Sequence, residues 1–562
     1  MRAAVLALAL TTGAAAAECP EGAAPFPPFY RDVSLFETAL EGAADKGPAP
    51  DPVAGVIVPH HLEVPDLIAA GLVRASADSP RRILVLFPDH FFAAEAPLST
   101  SARGFDTVLG PVPGDPAAAA LIAAGEMAEA CWFHPEHGVR AVLPFLARLF
   151  PGVPVLPVGI ALGSDRADWT TGVEALAPLA GPGTLIVQAT DFSHYLPHHV
   201  ARQRDQQVLN LLAASDREGM AQLRQPDHVD SVGALWMAAT LAARRGAAPV
   251  VLASRNLAEG QARPLAETTS YLVALFQGPG ADPGPPLAPG DGAVMVGGDV
   301  FLGRAWPRLM SDELVVRRVA AAATGATRGL PLIANLEGVL LPHPPSTLAP
   351  LVLAMPTDLL TEWAGRLNLV AVSLANNHAR DVGESGLAET RAALAAAGVA
   401  HAEQGGRLEV PGVTLVTLTD LDGRSVPARG LIDDALLDRT VPRDAARPTV
   451  ALVHWGREGQ AAPGPRERAL AEALRRRGVA AVIGAHPHVA SATPEALAGG
   501  DTLLIYSLGN FLFDQGPETS SGALAEIRSF AQGTVFVRQV PLTHLYAVAR
   551  GENGLAAGVG GR

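Results

Sequence analysis

The second half of the sequence contains a series of metal-binding residue types, each directly after an apolar run. In chain order they are Asp299, Glu337, Asn377 with His378, His454, and His486 with His488. Carboxylate oxygen can bridge two cations, while amide oxygen and imidazole nitrogen complete their coordination shells. Alternate residues of an extended segment point the same way, so the rings of His486 and His488 can face one site. The series predicts a two-metal site beside which a histidine could protonate a leaving group.

The first half contains a second series, in which histidines end strand-like or loop segments. Its members are His60, His90, Glu136 with His137, and Asp191 with His194. Three histidines that end three separate strands could form an open site of the kind that binds non-haem iron, copper or zinc. A lone histidine is more often a structural residue, so this prediction depends on the clustering. Four further histidines of this half, His61, His134, His198 and His199, are compatible with surface positions and are left unassigned.

Both series need elements that bring them together. Short β-rich apolar runs alternate with Ala/Leu-rich helical patterns in both halves, which is typical of βαβ units around a parallel sheet. Nearly every predicted strand ends in Asp, Glu, Asn or His. Ligands of open α/β sheets bind beyond the carboxyl ends of the strands, so we expect these polar residues to converge. The predicted fold class is α/β, with two domains that each contain a mainly parallel sheet flanked by helices.

Length and composition predict the domain organisation. The chain has 562 residues, which is more than one hydrophobic core usually organises. Residues 278–292 are rich in Pro and Gly, as linkers are. We therefore expect a first domain over residues 50–277 and a second over residues 293–546. Cys19 and Cys131 are the only cysteines; they could form one disulfide, which the sequence does not establish.

The start of the chain predicts export. A positive residue, an apolar run and small residues near position 17 are typical of a signal peptide over residues 1–17, which predicts a secreted or periplasmic protein. A buried N-terminal helix is the alternative. No further apolar run is long enough to span a membrane.

Charge and lysine content exclude several functions. The net charge of −14 offers no basic surface for nucleic acid or for an anionic membrane. The only lysine, Lys46, has neither the preceding strand nor the following Ser or Thr of a phosphate-binding loop, and a Schiff-base role is equally implausible. Arginine is therefore expected to bind any phosphate or carboxylate.

The second half resembles the CapA family of poly-γ-glutamate and capsule biosynthesis proteins, which is similar to calcineurin-like metallophosphoesterases. The matching stretches are GGDVFLGR (297–304), ANLEG (334–338), SLANNHARDVGESG (373–386), VHWGREG (453–459), IGAHPHV (483–489) and YSLGNFLFD (506–514). The resemblance implies two divalent metals, drawn from manganese, iron, magnesium and zinc. One would be held by Asp299, Glu337 and His488. The ligands of the other would be Glu337, Asn377, His454 and His486.

The same resemblance implies further roles and shows one departure. His378 would be a general acid or electrostatic stabiliser, and Arg304 would bind an anionic substrate. Phe301 stands where many phosphoesterases have the histidine of an Asp-x-His motif, which weakens the first metal position or changes its preference. Asn335 and Asn510 are candidates for the outer coordination shell, and a turn cap is the alternative for Asn510.

The first half resembles the Memo family, the B component of the AmmeMemoRadiSam group, which is similar in fold to class III extradiol dioxygenases. The matching stretches are GVIVPHHLEVPD (55–66), VLFPDHF (85–91), PEHGVRAVLPFL (135–146), QATDFSHYLP (188–197) and TTSYLVALF (268–276). The resemblance implies one iron, copper or zinc ion bound by His60, His90 and His194. Its neighbours would be Glu136, His137 and Asp191. Ser231-Val232-Gly233 occupies the place of a Cys-Gly, which argues against thiol-assisted redox chemistry, and Phe-Pro-Asp-His replaces Gly-Pro-Ser-His.

These observations predict an exported two-domain metalloprotein that hydrolyses a phosphate ester in anionic or polymeric cell-envelope material; an amide is the less favoured substrate. One alternative is a factor that binds or exports an envelope polymer and whose metal site is structural. Another is an N-terminal non-haem oxidase or dioxygenase with the C-terminal half as its targeting module. The sequence leaves the oligomeric state open.

Overall fold

The computed structural model describes residues 24–552 except 260, 262, 264, 346, 350, 423–427, 430 and 443–446. The predicted signal peptide and Cys19 lie outside the described residues, while Cys131 is disulfide-bonded. Within the described part of the chain, every helix is too short or too polar to cross a bilayer.

The first half is built on one nine-stranded mixed sheet and a small hairpin. Its strands are β1 (Gly55–Val58), β2 (Arg82–Pro88), β3 (Leu98–Thr100), β4 (Phe105–Thr107), β5 (Gly110–Val112), β6 (Ala128–Glu129), β7 (Val155–Ile160), β8 (Thr184–Ala189), β9 (His194–Leu196), β10 (Ala248–Asn256) and β11 (Thr268–Gln277). The order is β10-β11-β1-β8-β2-β7-β3-β6, β9 pairs with β11, and β4 and β5 form the hairpin. Strands β1, β8, β2 and β7 are parallel. Their carboxyl ends therefore lie at one edge of the sheet.

Helices cover both faces of this sheet. They are α1 (Val33–Ala43), α2 (Pro65–Arg74), α3 (Ala117–Ala123), α4 (His137–Arg140), α5 (Leu143–Leu149), α6 (Arg166–Leu176), α7 (His198–Ala213), α8 (Arg217–Met220) and α9 (Val232–Ala243). One core cluster lies under α1, α2 and α5, and another under α6, α7 and α9. Phe36 of α1 is fully buried in the first cluster, so the folded unit includes a helix that precedes residue 50.

The second half contains two sheets. Its strands are β12 (Gly292–Val300), β13 (Leu332–Leu336), β14 (Val339–Leu341), β15 (Ala354–Pro356), β16 (Leu369–Ser373), β17 (Ala400–Ala402), β18 (Gly406–Val410), β19 (Val413–Thr419), β20 (Leu421–Asp422), β21 (Ala428–Arg429), β22 (Thr449–His454), β23 (Ala481–Ala485), β24 (Glu495–Leu497), β25 (Thr502–Ile505), β26 (Asn510–Leu512), β27 (Ala523–Ser529) and β28 (Val535–Pro541). One sheet has the order β17-β16-β13-β12-β27-β28, with β26 beside β12, and the other has the order β18-β19-β22-β23-β25-β24. Two further pairs, β14 with β15 and β20 with β21, lie outside these sheets.

The two sheets of the second half face each other across a shared core. Val294 and Ile333 of one sheet belong to the same buried cluster as Leu415 and Ile483 of the other. Helices cover the outer faces: α10 (Trp306–Leu309), α11 (Glu313–Thr327), α12 (Thr357–Arg366), α13 (Gly383–Ala396), α14 (Asp434–Thr440), α15 (Pro465–Arg475) and α16 (Leu545–Ala549). The predicted α/β class with two domains is confirmed. The structure adds that the strands of the second half divide between two sheets.

The Pro/Gly-rich segment 278–292 packs against both domains. The main-chain N–H of Leu287 donates to the carbonyl of Leu252, and the Leu287 side chain is buried. The guanidinium of Arg528 donates to the carbonyl of Gly284 at 2.8 Å. Although this segment has the composition of a linker, its carbonyls are bound by buried side chains, which fixes its path.

Candidate metal centres

The candidate residues of the second half lie at the carboxyl ends of strands from both sheets. Asp299 is the last residue but one of β12, Glu337 follows β13 and Asn377 comes four residues after β16. His454 ends β22, and His486 follows β23. Because parallel strands end at the same edge of a sheet, the two facing sheets bring these side chains into one region.

Two glycines allow the backbones to approach closely at this edge. A Cβ at Gly298, next to Asp299, would lie 1.8 Å from the carbonyl oxygen of Gly509. At Gly484 it would lie 1.8 Å from the carbonyl oxygen of Tyr506. His486 and His488 themselves adopt left-handed φ angles of 94° and 58°. Such conformations are costly for residues with a Cβ and are concentrated at functional sites.

The ligand-type side chains form two groups that share one carboxylate. Asp299, Glu337 and His488 each offer an atom within 4.8 Å of the others, and Glu337, His454 and His486 form a second such group. The Oε2 atom of Glu337 is buried and has no hydrogen-bond partner among the described residues. A shared carboxylate between two sets of nitrogen and oxygen donors fits a pair of bridged cations.

The electrostatics of this group favour a bound cation. Burial, and then the nearby charge of Asp299, raise the pKa of Glu337 to about 7. Burial opposes protonation of His488, but the carboxylates of Glu337 and Asp299 outweigh it and raise its pKa to about 9. Burial and the neighbouring histidines hold the pKa of His454 well below its usual value. A cation bound between these groups would favour the ionised form of Glu337 and the neutral form of His488, which are the forms that bind metals.

Asparagine side chains contact the candidate metal ligands of this group. Asn377 Oδ1 lies 2.8 Å from His454 Nε2, close enough for both atoms to bind one ion. Asn335 donates to Asp299 Oδ1 at 2.8 Å. His488 Nδ1 donates to Asn510 Oδ1 at 2.8 Å. Asn510 thus contacts a candidate ligand, as the outer-shell role would require.

His378 lies beside the group and is held by a residue that the sequence reasoning missed. Its Nδ1 donates to Asp381 Oδ2 at 2.8 Å, and its Nε2 lies 3.7 Å from Glu337 Oε1. Asp381 is buried and also accepts from the main-chain N–H of Leu353. The spacing of three residues after His378 is the signal that could have identified Asp381.

Arg304 and Phe301 are engaged with other side chains. Arg304 donates to Asp514 at 2.6 Å, and its guanidinium carbon lies 5.0 Å from the centre of the Phe301 ring. Phe301 is fully buried and packs on Phe513 with ring centres 5.4 Å apart. Phe301, at the position of the histidine in the broader phosphoesterase pattern, is therefore a residue of the hydrophobic core. Half of the Arg304 side chain remains exposed.

In the first half, the three predicted histidines share one arrangement. His60 Nδ1 donates to the carbonyl of Ala189 at 3.2 Å, and His90 Nδ1 to Glu136 Oε1 at 2.7 Å. His194 Nδ1 donates to the carbonyl of Phe192. A hydrogen bond at Nδ1 fixes the orientation of the ring and leaves Nε2 to bind a metal ion, as is usual for histidines that bind metals.

Two further residues join this group. Asp230 Oδ2 lies 3.1 Å from His60 Nε2 and 3.6 Å from His90 Nε2. Sequence reasoning considered residues 231–233 but not the residue just before them. His61, left unassigned from the sequence, has its Nδ1 2.7 Å from Asp191 Oδ2 and is only 34% exposed. His134 and His199, in contrast, are exposed.

Carboxylates and imidazoles are paired within this second cluster. His60 Nε2 lies 3.1 Å from Asp230 Oδ2, and Asp191 Oδ2 lies 2.7 Å from His61 Nδ1. Against the effect of burial, hydrogen bonds and charges from Asp230 and Glu136 raise the pKa of His90 to about 10. Burial and the adjacent His60 and His90 lower that of His137 to about 4. His60, His90 and His137 each offer a donor atom within 4.8 Å of the others, and Asp191, His194 and Asp230 form a second such group. Imidazole and carboxylate donors grouped in this way fit a transition-metal ion.

The fold and the clusters thus define a two-domain α/β protein with a separate candidate metal centre in each domain. Residues 33–253 match the family model for Memo-like proteins. Residues 293–417 and 431–515 match the model for the bacterial capsule synthesis protein PGA_cap. Both resemblances inferred from the sequence are confirmed, one for each half.

Individual relatives agree with this division. The PGA biosynthesis protein CapA of Bacillus subtilis is 32% identical over 189 residues, which are 30% of this chain and 49% of that protein. A MEMO1 family protein of Methanopyrus kandleri is 28% identical over 204 residues, 34% of this chain and 72% of that protein. Another, from Caldivirga maquilingensis, is 26% identical over 239 residues, 40% of this chain and 83% of that protein. The chain thus spans about half the length of the CapA relative.

Proposed function

We propose that the protein is an exported metal-dependent hydrolase whose C-terminal centre cleaves phosphate esters in cell-envelope or capsule-type material. The observation that carries the proposal is Glu337, a buried carboxylate shared by two sets of metal-type donors. The CapA relative is named for poly-γ-glutamate biosynthesis, which supports a polymeric, anionic substrate. The signal-peptide pattern of residues 1–17 supports a secreted or periplasmic location.

The residues of the centre have distinct proposed roles. Asp299, Glu337 and His488 would hold one cation, and Asn377, His454 and His486 would complete the other side of Glu337. Bound cations would supply Lewis-acid polarisation of the phosphoryl oxygens.

His378 would protonate the leaving-group oxygen from Nε2, because its Nδ1 is committed to Asp381. Burial disfavours the charged ring, but Asp381 and Glu337 outweigh it and raise the pKa of His378, which keeps a proton available. The exposed part of Arg304 is the proposed contact for an anionic substrate.

The test is a screen of phosphomonoesters and phosphodiesters with added manganese. We expect turnover that His378→Ala abolishes and that His343→Ala, a change at an exposed histidine away from the group, leaves intact. The double variant His486→Ala, His488→Ala should also lose the metal of the C-terminal centre and keep that of the N-terminal domain. A metal content equal to that of the wild type in that double variant would contradict the proposal.

A specific observation favours a second candidate, a polymer-binding or export factor with a structural metal site. Phe301 fills the place of a histidine, and Asp514 already pairs with Arg304. Tight binding of a γ-glutamyl or glycan polymer without turnover of any ester would favour this candidate over the hydrolase.

For the N-terminal domain we propose one iron, copper or zinc ion bound by His60, His90 and His194, with Asp230 as an additional ligand. Metal analysis of the full chain tests this. His60→Ala should lower the metal content by one equivalent, and His199→Ala should not. Oxygen consumption that depends on the three histidines would support the oxidase alternative for this domain.

A further inference from the structure

Four buried arginines lie where the segment 278–292 meets the two domains. They are Arg74, which ends α2 of the first domain, and Arg328, Arg528 and Arg538 of the second domain. We call these four residues the arginine cluster. Three of them are at most 7% exposed, and 13% of the Arg328 side chain is exposed. Charges buried to this extent are costly unless anions and hydrogen bonds compensate them.

The carboxylates paired with the arginine cluster are fewer than its guanidiniums. Glu526 is fully buried and accepts hydrogen bonds from every member of the cluster except Arg74. Asp282 Oδ1 lies 3.9 Å from Nη1 of Arg328, but the Asp282 side chain is 38% exposed. The same oxygen also accepts from the main-chain N–H of Gly284 at 2.9 Å. Two carboxylates are thus paired with four guanidiniums, which leaves an excess of positive charge.

Arg74 is the least compensated member of the cluster. Its Nε is buried and makes no hydrogen bond with the described residues, and the same holds for Nη1 of Arg528. Burial, and then the nearby charge of Arg528, lower the pKa of Arg74. Asp282 and Asp45 oppose this effect, but Asp45 is exposed and pairs with Lys46. Two buried N–H groups on neighbouring guanidiniums therefore have no acceptor among the described residues.

Gly284 brings these two guanidiniums together. A Cβ at this position would lie 2.6 Å from Nη1 of Arg74, and the Gly284 carbonyl accepts from Nη2 of Arg528 at 2.8 Å. Its φ of 78° is left-handed, which glycine adopts at no steric cost. The main chain thus contacts both guanidiniums. Guanidinium N–H groups form short, strong hydrogen bonds to anions.

We propose that the arginine cluster holds a small inorganic anion between Arg74 and Arg528. The anion accepts from Nε of Arg74 and from Nη1 of Arg528. Because both N–H groups are buried, the site takes a small ion such as chloride or phosphate and not a polymer. Water would satisfy the N–H groups but would not offset the excess charge. The ion connects an arginine of the first domain with one of the second, and it does not depend on either metal centre.

The test measures thermal unfolding of the full chain by tryptophan fluorescence in three sodium salts at equal ionic strength. Chloride and phosphate are the small anions, and gluconate is the reference because it is too bulky for a buried site. An ion that binds only the folded state raises the unfolding midpoint. We expect the midpoint to be at least about 2 °C higher in chloride or in phosphate than in gluconate. The salt that gives the larger shift identifies the ion.

Variants separate this site from the general effects of the salts. Phosphate also stabilises folded proteins by exclusion from their surface, an effect that does not involve Arg74. Arg74→Met removes the guanidinium, keeps an apolar side chain of similar length and should lose the shift. The matched control is Arg245→Met. Arg245 is a partly buried arginine of the same domain that donates to the carbonyls of Ala54 and Thr184, so this variant should keep the shift.

Two results would overturn the proposal. One is an equal midpoint of the wild type in all three salts, and the other is a shift of the same size in wild type and Arg74→Met. If Arg74→Met does not fold, Arg74→Lys takes its place, because it keeps the charge but lacks the N–H at Nε. A smaller shift in Arg74→Lys supports the site, and a shift equal to that of the wild type refutes it.

Discussion

Replacement of Glu526 by glutamine should destabilise the protein strongly, although Glu526 lies outside both candidate centres. This residue of β27 is fully buried. Its carboxylate accepts hydrogen bonds from Arg328, Arg528 and Arg538. All three guanidiniums also donate to main-chain carbonyls of the segment before β12. The substitution would therefore leave three guanidiniums without their shared anion.

The magnitude follows from the pKa of Glu526. Burial alone would raise this pKa, but the charges of Arg528, Arg538 and Arg328 outweigh it and lower it from 4.5 to about 2. A difference of about 2.5 in pKa corresponds to roughly 3 kcal/mol, which agrees with the ~3–5 kcal/mol lost when a buried pair is broken. Because the folded pKa is the lower one, this stability is present above about pH 4.5 and is lost as the pH falls toward 2.

Urea unfolding of wild type and Glu526→Gln, followed by tryptophan fluorescence, measures the difference. We expect about 3 kcal/mol near neutral pH and a smaller difference at about pH 3. The control is Glu174→Gln, which removes an exposed pair with Arg244 and should change little. A difference under about 1 kcal/mol at neutral pH, or one that does not shrink on acidification, would refute the reasoning.

Asp205→Asn should flatten the pH dependence of stability. Burial raises the pKa of Asp205 from 3.8 to about 7. The stability that this buried carboxyl contributes in its protonated form is therefore present at low pH and lost as the pH rises through 7. Thermal unfolding of wild type and variant across this range should show the difference, and parallel curves would contradict it. Asn510→Ala should weaken metal binding about 10- to 100-fold in chelator competition, because Asn510 orients His488; unchanged affinity would argue against that role. Asp381→Asn should lower phosphoesterase turnover with metal content unchanged, because Asp381 holds His378; loss of metal instead would assign Asp381 to the metal site itself.

The sequence predicted the elements whose pattern is local. Apolar runs that end in ligand-type residues became strands β1, β2 and β8 of the first half and β12, β13, β16, β22 and β23 of the second. Within each sheet, their convergence required only that parallel strands end at one edge. For this reason Glu337 and its neighbours could be assigned to one site from the sequence, while their roles as ligands stay predictions.

What the sequence did not predict depends on contacts between distant segments. A strand buried on both faces has the same apolar pattern in one sheet or in two, so the division of the second half between two sheets left no local signal. Asp230 precedes the N-cap residue of α9 and resembles an ordinary loop acid, yet the fold places it beside His60. The segment 278–292 has the composition of a flexible linker, and its composition does not reveal that the guanidiniums of Arg328, Arg528 and Arg538 bind its carbonyls.

Helix α7 is hydrogen-bonded both to the N-terminal candidate centre and to the second domain. In the middle of this helix, Asp205 accepts hydrogen bonds from Ser193, the residue before His194, and from Ser270 of β11. The next residue, Gln206, both donates to and accepts from the main chain of Val535 in β28 of the other domain. Adjacent residues of one helix therefore fix a ligand-bearing segment of the first centre and a strand of the second domain. A shift of α7 would have to break both sets of buried hydrogen bonds, so the N-terminal centre and the C-terminal sheet are expected to keep their relative positions when either centre binds its ligand.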